Sequence, residues 1–335
     1  MLQSGRQSLF LRGAVRGFLF EFAASAELPQ GGCSSQSGMV LTRYVSKTVL
    51  VLSLIAFGSA AVLGSLDWFF HRLHIEPLVL SGDGCLVLAY HRVIARTGLS
   101  PFLDGLIHRT PSDGPDDYTL YSDTFEFQLR TLKRSGARFI TAADLETVVR
   151  QKIAPPPKCV LITLDDADIS QYEHAFPLLQ REHIPFVLFT ISGQVGSTRF
   201  NGLEMATWPQ IREMLDSGLA TLASHTHDLH RLDSRKQAVF LNPEDSAHFR
   251  ADLETSMRTI EEASGVRVRY FAYPYGFGIP QTDDAALSAG MRMLFTLRAG
   301  LVRRGDPAFY IKRVMVTPDN WEAIQHWISL PAASD

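Results

Sequence analysis

A chain of 335 residues with 46% hydrophobic side chains and a formal net charge of −3 can hold one large α/β domain plus an appendage, and is not built as a nucleic-acid surface. Its three cysteines, Cys33, Cys85 and Cys159, have no CxxC spacing, which excludes a zinc ribbon and a dense disulfide framework. No G-x-S-x-G elbow follows any predicted strand, which disfavours a serine esterase.

The appendage is at the front. Thr48 to Leu66 (TVLVLSLIAFGSAAVLGSL) is uncharged and just long enough to cross a bilayer core as a helix. Arg43 and Lys47 precede it and Asp67 follows it, so the amino-terminal side is expected in the cytoplasm and the remainder outside the membrane. A single-pass signal anchor and a cleaved signal peptide both fit this segment. Met39 is an alternative start, which would leave a short basic leader. Gly31-Gly32-Cys33 faintly resembles a lipoprotein box, but Glu21 and poor hydrophobicity upstream count against it. The predicted organisation is a tail at 1–47, the anchor at 48–66, a stalk at 67–83 and a folded domain at 84–335.

Cys85 to Tyr90 reads as a buried strand that ends on His91. After a polar loop, Ser122 is expected to cap a helix over Asp123 to Lys133, with Gly136 as its stop, and Thr141 to start another. Cys159 to Leu164 (CVLITL) is the pattern of a strand buried on both faces, and it runs straight into Asp165-Asp166. Those carboxylates either face a site beyond the strand end or cap the helix near Ser170. Then follow a helix over Gln171 to Glu182, a strand at Pro185 to Ile191, a helix at Trp208 to Leu215 and a strand at Leu219 to Ala223. A long helix at Glu244 to Ser264, strands at Tyr270 to Tyr273 and Met293 to Leu297, and helices at Asp283 to Ala289 and near Asn320 to Ile328 complete the chain. Six or seven strand–helix units without a glycine fingerprint predict an incomplete (β/α) barrel. Its strand ends would gather His91, Asp165-Asp166, His225 and Tyr275 at one mouth.

The most specific pattern is Ser224-His225-Thr226-His227-Asp228-Leu229-His230. Five residues on a helix turn through about 500°, so His225 and His230 converge on one ion only from a loop. Histidine-rich loops alone are more often solvated surface. With an Asp pair at a neighbouring strand end, imidazoles plus a carboxylate become a ligand set for a catalytic divalent metal. Asp228 is a candidate for orienting a ligand histidine.

Several motifs in order are similar to the metal-dependent polysaccharide deacetylases of carbohydrate esterase family 4. They are Ala89-Tyr90-His91, Thr163-Leu164-Asp165-Asp166-Ala167, Ala206-Thr207-Trp208, the Ser-His-Thr-x-x-x-His loop, Phe271 to Gly276, Leu294 to Leu297, and Arg313-Val314. The five-residue histidine spacing and the early histidine resemble the branch that de-N-acetylates poly-β-1,6-N-acetylglucosamine, a biofilm exopolysaccharide. The resemblance implies Asp165 as general base, and Asp166, His225 and His230 as ligands of a divalent metal, zinc by default with cobalt, nickel or iron also admitted. It further implies the Tyr275 N–H as oxyanion donor and His91 as the group assisting amine departure. Tyr273, Tyr275 and Trp208 are candidate faces for sugar rings, with core packing the alternative. Expected partners are the polysaccharide, the membrane through 48–66, and polysaccharide synthesis or export machinery, with no nucleic acid.

Three positions depart from the family pattern. Ala167 stands for a glycine, which is harmless at negative φ and costs stability otherwise. Leu164 stands for a phenylalanine. Ala272 replaces an arginine that orients the base in many members; Arg269 lies near as a candidate to compensate, with an ordinary strand-edge arginine the alternative identity. Cys85 and Cys159 each lie six residues before a site residue, so in neighbouring parallel strands they would be level and able to bridge.

Overall fold

The computed structural model describes residues 78–96 and 118–331. The span at 48–66, the tail and most of the stalk therefore lie outside the described residues. Among the described residues, no helix is long and apolar enough to cross a membrane. The compact unit begins a few residues before Gly84: Leu80 is buried, Trp327 Nε1 donates to Gly82 O at 3.1 Å, and an Arg303 guanidinium nitrogen donates to Ser81 O at 2.6 Å. The end of the expected stalk is thus part of the domain.

In chain order the elements are β1 (Cys85–Tyr90), β2 (Arg92–Ile94), β3 (Thr119–Tyr121), α1 (Ser122–Arg134), β4 (Arg138–Phe139), α2 (Ala142–Gln151) and β5 (Cys159–Asp166). A π-turn (Gln171–Ala175) runs into α3 (Phe176–Glu182), followed by β6 (Phe186–Thr190), α4 (Trp208–Asp216) and β7 (Ala220–Ser224). A 3-10 turn (Pro243–Asp245) leads into α5 (Ser246–Ser264), then β8 (Tyr270–Ala272), a turn (Pro274–Gly276), α6 (Pro280–Ser288), β9 (Met293–Phe295), β10 (Val314–Met315) and α7 (Trp321–Ser329). The main strands and helices fall where the patterning puts them. The short β2–β3 ribbon, β4 and β10 carry too few residues to show a period.

Local chemistry sets the helix ends. Thr141 Oγ1 accepts from Asp144 N while Asp144 Oδ2 accepts from Thr141 N, a reciprocal capping box. Gly136, at φ +83, ends α1 with Ala137 N reaching Leu132 O and Gly136 N reaching Lys133 O. The expected Ser122 cap is corrected: Tyr121 holds the cap position without a side-chain bond, because Ser122 is already helical.

The sheet runs β10-β1-β5-β6-β7-β8-β9, with β4 on the start of β5, and each pairing is parallel. Beyond β9, Phe295 forms a parallel bridge with Ile311, and Thr296 N donates to Ile311 O at 2.8 Å. The chain that next forms β10 on β1 therefore crosses the remaining gap, and the barrel is incomplete where it does so.

Strand alternation divides the core. Leu86, Leu88, Ile162, Leu164, Phe186, Leu188, Leu222 and Phe271 pack with helix residues such as Phe125, Leu179, Ile211 and Phe249 in one cluster. Val87, Leu161, Val187, Phe189, Ala223, Ala272 and Phe295 form a second cluster inside the barrel, with Cys85 and Cys159. Successive residues on a strand point to opposite faces. Continuing the inner stripe by twos leads from Cys85 to His91, from Cys159 to Asp165, and from Ala223 to His225.

Cys85 and Cys159 are register partners on β1 and β5 and form a disulfide, with Cα atoms 4.5 Å apart. Thiol counting on the denatured protein from Pro77 onward should find none before reduction and two after it; two reactive thiols without reductant would contradict the bridge.

Candidate active site

The inner stripes deliver their last side chains to a cleft of about 420 Å³, lined by His91, Arg92, Tyr118, Asp165, Asp166, His225, His230, Tyr273 and Tyr275 among others. Asp165 ends its stripe by regular alternation. Asp166 does not: its φ of 81° turns the chain so that the next carboxylate also lies on the cleft. Ala167 follows at φ 65°, so the expected cost of replacing glycine is real. That left-handed cost is about 1–2 kcal/mol, and burying the methyl returns about 0.8 kcal/mol of it. The methyl is in fact buried in the outer cluster.

Asp166 Oδ1 lies 3.6 Å from His225 Nε2 and 3.3 Å from His230 Nε2. Ligand atoms of the three residues lie within 4.8 Å of one another, and Asp166 Oδ1 is buried without a hydrogen-bond partner. His225 Nδ1 is 2.7 Å from Ala272 O, a contact that fixes the ring and leaves Nε2 toward Asp166. Burial pushes the imidazolium form of His225 down to about 3 and lowers that of His230, so both rings are neutral donors. Burial, helped by the neighbouring Asp165 and Asp168 carboxylates and only partly offset by His91 and Arg313, pushes the Asp166 carboxyl up to about 6. Two neutral imidazole nitrogens and one orphaned carboxylate oxygen fit a divalent transition metal.

Asp165 has a different partner. The Arg313 guanidinium, fully buried, donates to Asp165 Oδ1 at 2.6 Å and to Oδ2 at 2.9 Å. It also donates to Thr163 Oγ1 at 3.1 Å and Thr296 O at 3.2 Å, and lies 5.1 Å from the Phe189 ring centre. Burial opposes ionisation of Asp165, but the charge and hydrogen bonds of Arg313, together with the fields of His225 and His91, outweigh it and hold the carboxyl at about 2. His91 Nε2 is 4.0 Å from Asp165 Oδ2, and its ring meets Tyr118 edge-on at 5.3 Å. Gln171, on the π-turn, donates its amide to the carbonyls of both His91 and Asp165, tying the ends of β1 and β5 together.

Four expectations change. Arg269 takes no part at Asp165; Arg313, just before β10, takes that place. Helix capping near Ser170 falls to neither Asp165 nor Asp166 but to Asp168, whose Oδ1 accepts from Ser170 N at 3.0 Å. The Asp228 carboxylate reaches Gln194 at 3.4 Å rather than a ligand histidine, whose orienting acceptor is Ala272 O. Tyr273 borders the cleft but is 1% exposed and spends its hydroxyl on Asp283 at 2.6 Å, while Trp208 is half-buried against the outer cluster and does not line the cleft. Tyr275, 39% exposed with its ring 4.9 Å from His230, keeps an open face. Gly276 secures that turn at φ +96, where a Cβ would meet Leu297 Cβ at 2.5 Å.

Comparison with known proteins agrees with this geometry. The polysaccharide deacetylase family model matches residues 152–294. The poly-beta-1,6-N-acetyl-D-glucosamine N-deacetylase of Staphylococcus epidermidis is 31% identical over 253 residues, 75% of this chain and 86% of that protein. The structure of IcaB from Ammonifex degensii is 40% identical, with a TM-score of 0.67 over 75% of this chain and all of that one. The BpsB deacetylase domain from Bordetella bronchiseptica is 26% identical, with a TM-score of 0.55 over 71% of this chain and 97% of that one. The chain therefore belongs to the polysaccharide deacetylases, hydrolases that act on N-acetyl amide bonds.

Proposed function

We propose that the protein is a metal-dependent N-deacetylase of poly-β-1,6-N-acetyl-D-glucosamine, acting outside the cytoplasm. The observation that carries the chemistry is the pairing, in one cleft, of a carboxylate held ionised by a buried arginine with an Asp-His-His cluster. The polymer rests on the relatives: those from Staphylococcus epidermidis and Staphylococcus aureus are named for that substrate. Export is supported by the Cys85–Cys159 disulfide, which persists in oxidising compartments, and by the apolar span at 48–66 as a membrane anchor. Contact with polysaccharide synthesis or export machinery would follow from that location.

Asp166, His225 and His230 would hold the metal, with zinc the default and cobalt, nickel or iron compatible with the same donors. When bound there, a divalent cation supplies polarisation of the acetamide carbonyl and a lowered pKa for the attacking water. Asp165, ionised at neutral pH and unable to rotate away from Arg313, takes the proton of that water as it attacks. The N–H of Tyr275, at the cleft's edge, donates to the developing oxyanion. His91 delivers a proton to the departing sugar nitrogen. The products are acetate and a glucosamine unit that becomes cationic.

Acetate release from β-1,6-linked N-acetylglucosamine oligomers tests this reading, with β-1,4-linked oligomers in parallel. Release from the β-1,6 series, abolished by a chelator and restored by Zn²⁺, is the expected result. Release from the β-1,4 series alone would move the enzyme to another glycan, and release that survives exhaustive chelation would remove the metal.

A further inference from the structure

Between the two ligand histidines the chain has no regular structure, yet three of its residues are held from one helix. Asp252 and Ser256 lie one turn apart on α5, on the same face. Asp252 is 8% exposed, and both its oxygens go to loop backbone: Oδ1 accepts from His227 N at 2.8 Å and Oδ2 from Asp228 N at 2.8 Å. Ser256, fully buried, donates to Thr226 O at 3.3 Å and lies 2.7 Å from Ser224 Oγ. It also accepts from Ser192 Oγ at 3.0 Å, and that hydroxyl meets His227 Nδ1 at 3.0 Å.

The loop needs this support. Thr226 sits at φ 78°, a left-handed conformation that a β-branched residue adopts only when its surroundings impose it. Released, Thr226 would relax toward negative φ. His225 is fixed on the strand side by Thr190 O, which accepts its N–H at 2.9 Å, and by Ala272 O. The relaxation would therefore be carried toward His230.

We infer that Asp252 is the positioning residue that sets the separation of His225 and His230, and thereby the affinity and geometry of the metal site, a role that rests on the metal reading above. A carboxylate is required: two backbone N–H groups point at it, and an amide in its place presents an NH₂ to one of them.

The test uses the full chain as wild type, Asp252→Asn and Asp252→Ala, with Leu253→Ala as a control that loosens the buried side of α5 and keeps the Asp252 and Ser256 hydrogen bonds to the loop. Zn²⁺ affinity is read by competition with a chromophoric chelator, and site geometry by the visible spectrum of the Co²⁺-loaded protein, each on material shown by circular dichroism to be folded. Asp252→Asn should weaken Zn²⁺ binding roughly 10-fold and Asp252→Ala up to about 100-fold. Both should alter the Co²⁺ bands, while Leu253→Ala lowers the melting temperature and leaves affinity and bands unchanged. Should neither Asp252 variant fold, Ser256→Ala carries the test, with a several-fold weakening expected. Affinity and Co²⁺ bands equal to wild type, or changed no more than in Leu253→Ala, would overturn the role of Asp252 and leave the metal reading standing. Failure of the wild type to bind either ion would overturn both.

Discussion

Asp165→Asn should lower acetate release by about 10²–10⁴-fold, the usual worth of a positioned general base, while the Asp166, His225 and His230 cluster still takes up Zn²⁺. The reasoning turns on the two adjacent carboxylates having opposite environments. Asp165 faces a fully buried guanidinium and is held at about 2, so it is ionised at neutral pH. Asp166 faces two neutral imidazoles and is driven up to about 6 by burial, so its ionised form gains most from a bound cation. Geometry divides the roles: Asp166 Oδ1 stands with the two imidazoles as a metal ligand, and Asp165, fixed by Arg313 beside that cluster, is placed to receive the proton of an attacking water. Single-turnover acetate release and a Zn²⁺ titration on the same preparation separate the roles. Loss of metal binding in Asp165→Asn, or activity within tenfold of wild type, would contradict the division.

Much of this site is legible in the sequence because it lies on strand ends. The inner stripe of β1 and β5 advances by twos from Cys85 and Cys159 to His91 and Asp165, and the same register makes the two cysteines level enough to bridge. The separation of His225 from His230 requires a loop, and a loop follows β7. What the sequence hides is of another kind. Arg313 has no acid near it in the chain; its carboxylate is 148 residues away and is reached only because β10 pairs with β1 beside β5. Its visible trace is the Arg313-Val314 motif, which says that an arginine stands there but not what it holds. Asp252 is hidden differently, as one acidic residue among several on a helix whose buried face alone distinguishes it. The sugar-facing aromatics divide for a packing reason. Tyr273 continues β8 into the layer of Phe249 and Phe271, whereas Tyr275 is turned outward by its own positive φ.

Arg313→Met should be the most damaging single change to the fold, and a second substitution should reverse the damage without restoring activity. Removing one partner of a buried ion pair leaves the other charge without solvent or counterion and costs about 3–5 kcal/mol, whereas replacing both partners is often neutral. In Arg313→Met the largest influence opposing burial is gone, leaving only the weaker fields of His225 and His91, and the pKa of Asp165 rises. The base would then take up a proton at higher pH than in wild type, and the residual acetate release should rise with pH over a more alkaline range than in wild type. The sign for stability is opposite in wild type. There the folded-state pKa of Asp165 is depressed, so the pair's contribution is complete above the ordinary value of 3.8 and is lost as pH falls through about 2. Arg313→Met should abolish that acid-side dependence along with the stability itself. The double variant Asp165→Asn with Arg313→Met should recover most of the melting temperature and none of the activity, as measured by thermal denaturation and acetate release. Equal stability of Arg313→Met and wild type would mean that the pair contributes nothing to the fold; recovered activity in the double variant would mean that Asp165 is not the base.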